Sequence, residues 1–557
     1  MKIMNLNEFM KKPSLNKRRF LLVFFITMIT ACLPLFTVNC IQGHDIQYHL
    51  LRIEALKVGI QNGLPFLRVN MLFFGGAGYA SSMFYPDFLL YIPALLRVAG
   101  FEINSTFHIF IALCIAASFF TCYFSVKEIT DEQFPAMIAA VIYILTQYHL
   151  DDVYVRCAVG EITAFIFIPL VIAGLHDLAL KEFKKPWLLG IGMTGVLLCH
   201  TLSTLFCLGL CVVAFIFALP RIIRKPGILI KLAITAVICM AVTSFYWLPM
   251  IEQMRSTVFK YTKSEFDVAF EALLFKDVFS DAWPGIGIAP FLFLLPAFFI
   301  SHKENLVRFA DACAVAGIGA VLCTTRLFPW RRFSNILKSI QFPWRLFIMA
   351  TALLSVSGAI YCWKYIKQTT EERKDNNNNR SYNIVLMLVI SIMVVSAVNV
   401  IGRTEIEYYS YSGDYYDYEP FTETVISGEW LPDTVEVRDS IGKHVGEAYT
   451  DSNTLSVTRD RNTLTVADLN GTEKYVDVPF TFYLGYAATD ENGDQLKVDG
   501  TGKNGRVRVY PDGASSVHVY YAGTALQHMA DILSAVTLAG LVIYMIINLR
   551  KKLIRQK

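Results

Sequence analysis

The chain has 557 residues, of which 54% are hydrophobic and only 17% are charged. Apolar runs of about 20 residues recur along it, which excludes an ordinary soluble protein and predicts a membrane protein with several spans. The formal net charge is +4, yet residues 403–512 carry 21 acids against 10 bases, and an acidic segment joined to a basic membrane body argues against nucleic acid as a partner.

Twelve apolar segments predict an all-α polytopic membrane domain over residues 1–401 and a final span within 528–557. The first follows the basic stretch "KKPSLNKRR" and is interpreted as a retained span with its basic side in the cytoplasm. Both termini are then cytoplasmic. The candidate spans are 20–40, 105–125, 134–148, 160–179, 187–201, 203–220, 227–247, 285–301, 307–324, 346–364, 383–401 and 529–549.

The apolar segment 84–100, "FYPDFLLYIPALLRVAG", is short and contains two prolines. If it crossed the membrane, later basic loops such as "KEFKK" and "RIIRKP" would face outward, against the positive-inside tendency. An interfacial or re-entrant helix is therefore predicted here.

Residues 402–527 have a different character from the rest of the chain. Stretches such as "NTLSVTRD", "YVDVPFTFYL" and "GRVRVY" alternate apolar and polar residues between Gly, Asn and Asp turns. Alternation with a period of two at this spacing predicts an acidic β-sandwich domain, placed outside the cytoplasm by the span count.

The first outer loop begins with "GHDIQYHL" at residues 43–50. Apolar residues recur at helical spacing after Asp45, so an amphipathic helix along the membrane surface is predicted. Asp45 lies at the start of this helix, where its carboxylate either caps the helix or acts in catalysis. His49 follows one turn later, where it orients that carboxylate, joins it on a metal ion or simply forms surface hydrogen bonds.

The second outer loop, "YHLDDVYVRCAVGE", supplies Asp151, Asp152, Arg156 and Glu161. These charges form either an internal ion-pair network that fixes the loop or a set of substrate contacts. Glu161 also begins the next predicted span, where an acid near a helix N-terminus is electrostatically favoured.

The third outer loop, at 326–345, carries five cations on a side where few are expected. An anionic partner such as a lipid-linked phosphate would compensate them, and guanidinium groups suit phosphate oxygens. Arg331, Arg332 and Arg345 are the candidate ligands.

The pieces "HDIQYHLLRIEAL", "GLPFLRVN", "YHLDDVYVRCAVGE" and "QFPWR" resemble the GT-C membrane glycosyltransferases. They are more closely similar to the bacterial YfhO-like and 6-pyruvoyl-tetrahydropterin synthase-related membrane proteins. The resemblance implies a GT-C-like fold in the bacterial cell membrane. It also implies transfer of a sugar from a polyprenyl-phosphate donor to a saccharide, lipid or protein acceptor on the outer face.

The resemblance places the catalytic carboxylate at Asp45, which would accept the proton of the acceptor hydroxyl. The hydroxyl oxygen would then displace the phosphate in one step, which inverts the anomeric configuration of the sugar. Supporting or substrate-contacting roles fall to His44, His49, Tyr85 and His200, besides the charges of the second loop. One departure concerns metal, because oligosaccharyltransferase-type members carry Asp-x-Asp and position 43 here is Gly. No cofactor is assigned, and a divalent metal ion has no support from that motif.

Two other functions compete with glycosyl transfer. A transporter or flippase of lipid-linked saccharides would need charged partners at mid-bilayer depth, and the centres of the predicted spans have almost none. A non-catalytic cell-envelope scaffold would use the polar loops structurally. Both stay open as alternatives.

Overall fold

The computed structural model describes residues 17–263, 267–280, 282–372, 378–410, 428–436 and 443–556. Its helices are α1 (Lys17–Cys32), α2 (Ile46–Gln61), α3 (Ser81–Phe84), α4 (Tyr91–Val98), α5 (Ile103–Thr130), α6 (Gln133–Leu145), α7 (Gln147–Asp151), α8 (Val159–Ala164), α9 (Ile168–Leu180), α10 (Pro186–Leu197), α11 (Thr201–Arg224), α12 (Gly227–Val242), α13 (Ser244–Ser256), α14 (Ala289–Leu292), α15 (Asn305–Cys323), α16 (Trp330–Leu337), α17 (Phe347–Glu372), α18 (Asn378–Arg403) and α19 (Ala525–Gln556). Its strands are β1 (Cys40–Gln42), β2 (Glu407–Tyr409), β3 (Glu447–Thr450), β4 (Thr454–Asp460), β5 (Thr463–Val466), β6 (Val476–Thr481), β7 (Tyr486–Thr489), β8 (Gln495–Asp499), β9 (Arg506–Tyr510) and β10 (Val517–Tyr521).

All twelve segments predicted as spans contain helix, but they differ in length. Among the described residues, seven helices are long and apolar enough to cross a membrane, or eight if α12 and α13, bent by 72°, form one span. Four other predicted spans are shorter apolar helices, at 133–145, 168–180, 186–197 and 289–299. At about 1.5 Å per residue, a 13-residue helix covers roughly 20 Å of a hydrocarbon core about 30 Å thick. The predicted count of twelve therefore exceeds the number of full-length spans.

Helix α2 forms where it was predicted, but it does not lie on the surface with one polar face exposed. His49, Arg52 and Glu54 are buried as fully as its apolar residues. The polar face is covered by the segment from Tyr85 to Val98, with which α2 forms two buried ion pairs, Arg52–Asp87 and Glu54–Arg97. Helical spacing of apolar residues shows one packed face and does not exclude partners for the other.

The segment predicted to be interfacial or re-entrant forms a short apolar helix over Phe88–Val98. This length falls well below what a membrane crossing needs. Its last turn supplies Arg97, which donates to Glu54 and to the Phe101 carbonyl. The segment therefore packs as a support for α2.

The C-terminal strands form a closed barrel in the order β10-β5-β4-β3-β6-β9-β8-β7, not the predicted sandwich. β10 closes the barrel because it pairs with both β5 and β7 in antiparallel register. Inward-facing valines of β6, β9 and β10 fill its interior. Alternation with a period of two is common to sandwiches and barrels, so it could not separate them. Parts of the predicted domain, at 411–427 and 437–442, lie outside the described residues.

The barrel rests on the polypeptide between α2 and α4. Thr481 donates its backbone N–H to the Ala77 carbonyl at 2.7 Å, and Phe84 stacks on Trp430 with ring centroids 4.6 Å apart. A second anchor joins α13 to the barrel, where the Gln253 amide bonds to the backbone of Leu484 in both directions. Strand β2, which follows α18, pairs with β1 immediately before Asp45.

Candidate active site

Asp45 lies between β1 and α2, and backbone hydrogen bonds fix it against the second outer loop. The His44 and Asp45 N–H groups donate to the carbonyls of Val155 and Arg156, at 3.1 and 2.9 Å. Asp45 occupies the N-cap position of α2, but its side chain makes no capping hydrogen bond. No donor among the described residues reaches the carboxylate, which instead lines an open cavity.

The second outer loop presents Arg156 beside Asp45. Residues Asp152–Arg156 form a π-helical turn, and Cys157 follows in a left-handed conformation with φ of 51°. Arg156 Nη1 donates to Asp152 Oδ1 at 2.5 Å and to Glu161 Oε1 at 2.8 Å. The guanidinium also lies over the Trp344 ring, 4.7 Å from its centroid. The predicted ion-pair network is thus present, and it holds one arginine at the cavity.

Arg345 reaches the same cavity from the third outer loop. Its Nη1 donates to Gln341 Oε1 at 2.9 Å, and its Nε lies 3.5 Å from Glu161 Oε1. Arg345 also lies over the Phe342 ring, 5.1 Å from the centroid. Two guanidinium groups therefore stand on the wall that carries Asp45.

Burial raises the pKa of Asp45 above its ordinary value, while the charges of Arg156 and Arg345 oppose that rise. A carboxylate with a raised pKa is a stronger base, and the two nearby guanidinium groups favour its ionised form. The site can accept a proton and neutralise a phosphate within one cavity.

The cavity has a volume of about 490 Å³. Trp283 forms part of its wall and packs edge-on against His44 and Trp344, with centroid separations of 5.0 and 5.2 Å. The lining also includes Glu271, Asp277 and Trp283, which sequence reasoning did not select as candidates. The lining residues are His44, Asp45, Arg156, Phe270, Glu271, Ala272, Leu273, Leu274, Asp277, Trp283, Pro284, Arg326, Phe342, Trp344 and Arg345.

Other predicted site residues lie behind this wall or away from it. Asp152 and Glu161 hold Arg156, and Asp151 is buried, with its carboxylate accepting from Gln147 Nε2 at 3.3 Å. Burial raises the pKa of Asp151 to about 8. Arg331 and Arg332 are exposed on α16 and do not line the cavity.

His49 and His200 are buried, and both pack against the partly buried Tyr85 ring. Arg52 joins them, because its Nη1 lies 3.2 Å from His49 Nδ1 and its guanidinium lies over the Tyr85 ring at 4.4 Å. His200 accepts from the Ser203 N–H at the start of α11. Burial lowers the pKa of His49 well below its ordinary value. These side chains position α2 and do not line the cavity.

The residues around Asp45 do not fit a divalent metal ion held by an acidic pair. A Cβ at Gly43 would lie 2.6 Å from Cys157 Sγ, so no aspartate fits at that position without displacement. Asp152 and Glu161, two acids of the second outer loop, are already paired with Arg156. Within the described ranges, no three His, Cys, Asp or Glu side chains are grouped to share a metal.

Several solved structures resemble this chain. The Archaeoglobus fulgidus oligosaccharyltransferase in its apo form has a TM-score of 0.40 at 13% identity, covering 69% of this chain and 56% of its own. The archaeal oligosaccharyltransferase AglB from A. fulgidus, in complex with an inhibitory peptide and a dolichol-phosphate, has a TM-score of 0.39 at 11% identity, covering 72% and 57%. The arabinofuranosyltransferase AftD from Mycobacteria has a TM-score of 0.41 at 14% identity, covering 70% and 27%.

This chain therefore spans little more than half the length of the archaeal enzyme and about a quarter of the mycobacterial one. No curated protein sequence matches it.

A family model for the 6-pyruvoyl-tetrahydropterin synthase related domain, a membrane protein, matches residues 82–404. The matched range contains Arg156, Glu161 and Arg345, whereas Asp45 and the barrel lie outside it. The match covers more than half of the chain and confirms the resemblance seen in the sequence motifs. The chain belongs to the 6-pyruvoyl-tetrahydropterin synthase related family of membrane proteins.

Proposed function

We propose that this protein is an inverting glycosyltransferase that uses a polyprenyl-phosphate sugar and acts on a cell-envelope acceptor. One observation carries the proposal: the Asp45 carboxylate, bound by no described donor, lines one cavity with the guanidinium groups of Arg156 and Arg345. A base beside two fixed cations suits a reaction in which a hydroxyl loses its proton while a phosphate leaves.

In the proposed step, the acceptor hydroxyl lies against Asp45 and its oxygen attacks the anomeric carbon of the donor sugar. The hydroxyl proton passes to the carboxylate as the new carbon–oxygen bond forms. The bond from that carbon to the phosphate oxygen breaks, and its electron pair goes to the polyprenyl phosphate. A single displacement of this kind inverts the anomeric configuration.

Arg345 is the better placed of the two arginines to receive the phosphate. Arg156 is engaged by Asp152 and Glu161 together, which makes it a fixed charge. Arg345 donates to Gln341 through Nη1, and its Nη2 group has no partner among the described residues. Guanidinium groups keep their charge and offer paired donors that match phosphate oxygens.

The proposed orientation places the cavity on the outer face, with both termini in the cytoplasm. Its support is the distribution of basic loops, because "KEFKK", "RIIRKP" and the final "RKKLIRQK" then all face inward. On that face the donor would enter from the outer leaflet. The acceptor would be a polymer, glycolipid or protein of the envelope.

The test is a transfer assay with the full-length protein in proteoliposomes, given polyprenyl-phosphate sugars of defined anomeric configuration. The expected result is sugar transfer with inversion at the anomeric carbon, which NMR of the product would establish. Transfer with retention would contradict the single displacement. Movement of the intact donor across the bilayer without transfer would support a flippase instead.

A further inference from the structure

Helix α16 lies in the loop between two segments that can cross a membrane. The helix before the loop, Asn305–Cys323, and the helical segment after it, Pro343–Glu371, are both long and apolar enough to span the bilayer. The loop therefore begins and ends at the same membrane surface. α16, at Trp330–Leu337, occupies the middle of this loop and lies close to that surface.

α16 and its flanks carry positive charge that nearby residues do not balance. Residues 312–370 contain no Asp or Glu. Arg331, Arg332 and Lys338 are exposed, and none of the three forms an ion pair with a described residue. None of them lines the cavity either, so a donor phosphate bound there does not compensate them. Three such cations at a membrane surface indicate an anionic partner outside the chain.

Apolar side chains are exposed next to these cations. Leu327, Phe333 and Ile336 are 67, 40 and 76% exposed. Phe333 and Ile336 are three positions apart on α16 and therefore neighbours on one face, and Arg332 lies one turn before Ile336. Apolar side chains beside cations are typical of a helix in the headgroup region, where the apolar groups enter the acyl boundary and the cations meet phosphates.

The other edge of α16 is packed against the protein, which fixes the orientation of the helix. Trp330 is buried in a cluster with Ala272, and Leu337 packs against the same cluster. Just after the helix, the Tyr261 hydroxyl donates to the Ser339 carbonyl at 3.3 Å. The exposed apolar side chains and the cations are therefore held in a fixed position on the outside of the protein.

We propose that α16 is a membrane-docking element that binds the anionic phospholipid headgroups of the outer leaflet. The three cations contact lipid phosphates, and Phe333 and Ile336 enter the boundary of the acyl chains. A lipid fits better than a soluble polyanion, which would leave both apolar side chains in water. Docking also holds the cavity near the headgroups, because Arg326 lines the cavity and directly precedes Leu327. The choice of leaflet follows the proposed orientation, whereas the lipid contact does not depend on glycosyl transfer.

The test measures hydrogen–deuterium exchange of the α16 amides in the full-length protein, without donor or acceptor. The protein is placed in nanodiscs of phosphatidylcholine, or of phosphatidylcholine mixed with phosphatidylglycerol. Wild-type α16 should exchange about tenfold or more slowly in the anionic discs, because each cation near an anionic surface favours docking about fivefold. The variant Arg331→Gln/Arg332→Gln/Lys338→Gln should exchange at the same rate in both kinds of disc.

The matched control removes three exposed cations of the barrel domain, in Arg461→Gln/Lys474→Gln/Lys497→Gln. This variant should keep the lipid dependence of wild-type α16. Phe333→Ser/Ile336→Ser should exchange faster than the wild type in both kinds of disc, since apolar insertion does not require anionic lipid. Unchanged exchange in that double variant would contradict the insertion. The α17 amides should exchange alike in every sample, which shows that the variants are folded.

Equal exchange of wild-type α16 in the two kinds of disc would overturn the docking, as would a lipid dependence that persists in the triple α16 variant. Glycerol phosphate added to phosphatidylcholine discs should give no protection. Protection by this soluble anion would also overturn the docking and would indicate a site for a free phosphate. Docking in a protein without transfer activity would support the inference and count against the proposed function. Transfer without docking would do the reverse.

Discussion

Arg345 Nε lies 3.5 Å from Glu161 Oε1, the same oxygen that accepts a hydrogen bond from Arg156 Nη1 at 2.8 Å. One buried carboxylate therefore lies close to both Arg156 and Arg345. Tyr148 donates to the other oxygen of Glu161 at 2.8 Å, so the acid cannot easily turn away. The hydrogen bonds of Glu161 therefore position Arg156 in the protein without a substrate.

Glu161→Gln should destabilise the protein by about 3 kcal/mol, because it leaves the buried Arg156 and the partly exposed Arg345 with one fewer counter-charge. Donor binding should weaken with it, since Arg345 loses its fixed position. Unfolding in detergent and the donor KM measure the two effects. Glu304→Gln removes an acid that pairs with Lys364 in an exposed position and should cost about 0–1 kcal/mol. Equal losses in the two variants would contradict a central role for Glu161.

The backbone at Gly43 leaves no room for a side chain. Gly43→Ala should destabilise the protein by about 1–3 kcal/mol, because its Cβ would lie 2.6 Å from Cys157 Sγ. Adding Cys157→Gly to Gly43→Ala should restore part of the lost stability, since it removes that sulfur and since glycine suits the left-handed backbone at position 157. Gly209→Ala, with open space around the new carbon, is the matched control. If thermal unfolding shows the same change in stability for Gly43→Ala and Gly209→Ala, the close packing at Gly43 is contradicted.

The pH dependence of transfer should report on Asp45. A base must be ionised, and burial raises the pKa of Asp45 above the ordinary value of 3.8. The rate should therefore fall with decreasing pH at a higher pH than for an ordinary aspartate. Arg345→Gln removes a charge that lowers the pKa of Asp45, so the acid limb should move to still higher pH.

The matched control for this shift is Arg332→Gln, on the exposed face of α16. Its pH profile should coincide with the wild type. An acid limb that stays in place in Arg345→Gln would show that Asp45 is not the group that titrates.

Donor affinity should also separate the arginines of the third outer loop. Arg345→Gln is expected to raise the donor KM roughly 10–100-fold, the value of losing hydrogen bonds to a charged phosphate. Arg331→Gln should change it less than about twofold, since its exposed side chain does not line the cavity. Initial rates over a range of donor concentrations make the comparison. Similar increases of the donor KM in both variants would indicate that the donor phosphate also contacts α16.

The sequence allowed part of this site to be predicted and left another part hidden. Asp45 was selected from its place at a predicted helix start and from the family resemblance. Arg156 was selected as a charge of the second outer loop, and Arg345 as one of five cations in the third. Glu271, Asp277 and Trp283 were missed, because their segment has no helical or strand periodicity. Backbone hydrogen bonds to residues some 50 positions away place that segment at the cavity.

The fold was predictable to a similar degree. Each of the twelve apolar runs predicted as a span contains helix, yet α6 shows why such runs could not fix the number of full-length spans. All of its residues from Phe134 to Leu145 are buried inside the protein, so its hydrophobicity serves packing. Burial against other helices and burial in lipid require the same residue types.

The most direct test of the account compares Asp45→Asn and Asp45→Ala in the transfer assay. Because the Asp45 side chain makes no capping bond, both variants should unfold within about 0.5 kcal/mol of the wild type. Transfer should fall about 10²–10⁴-fold in both, since each lacks the base. Full transfer by Asp45→Asn, with Asp45→Ala merely destabilised, would show that Asp45 acts by capping the helix and would contradict its assignment as the base.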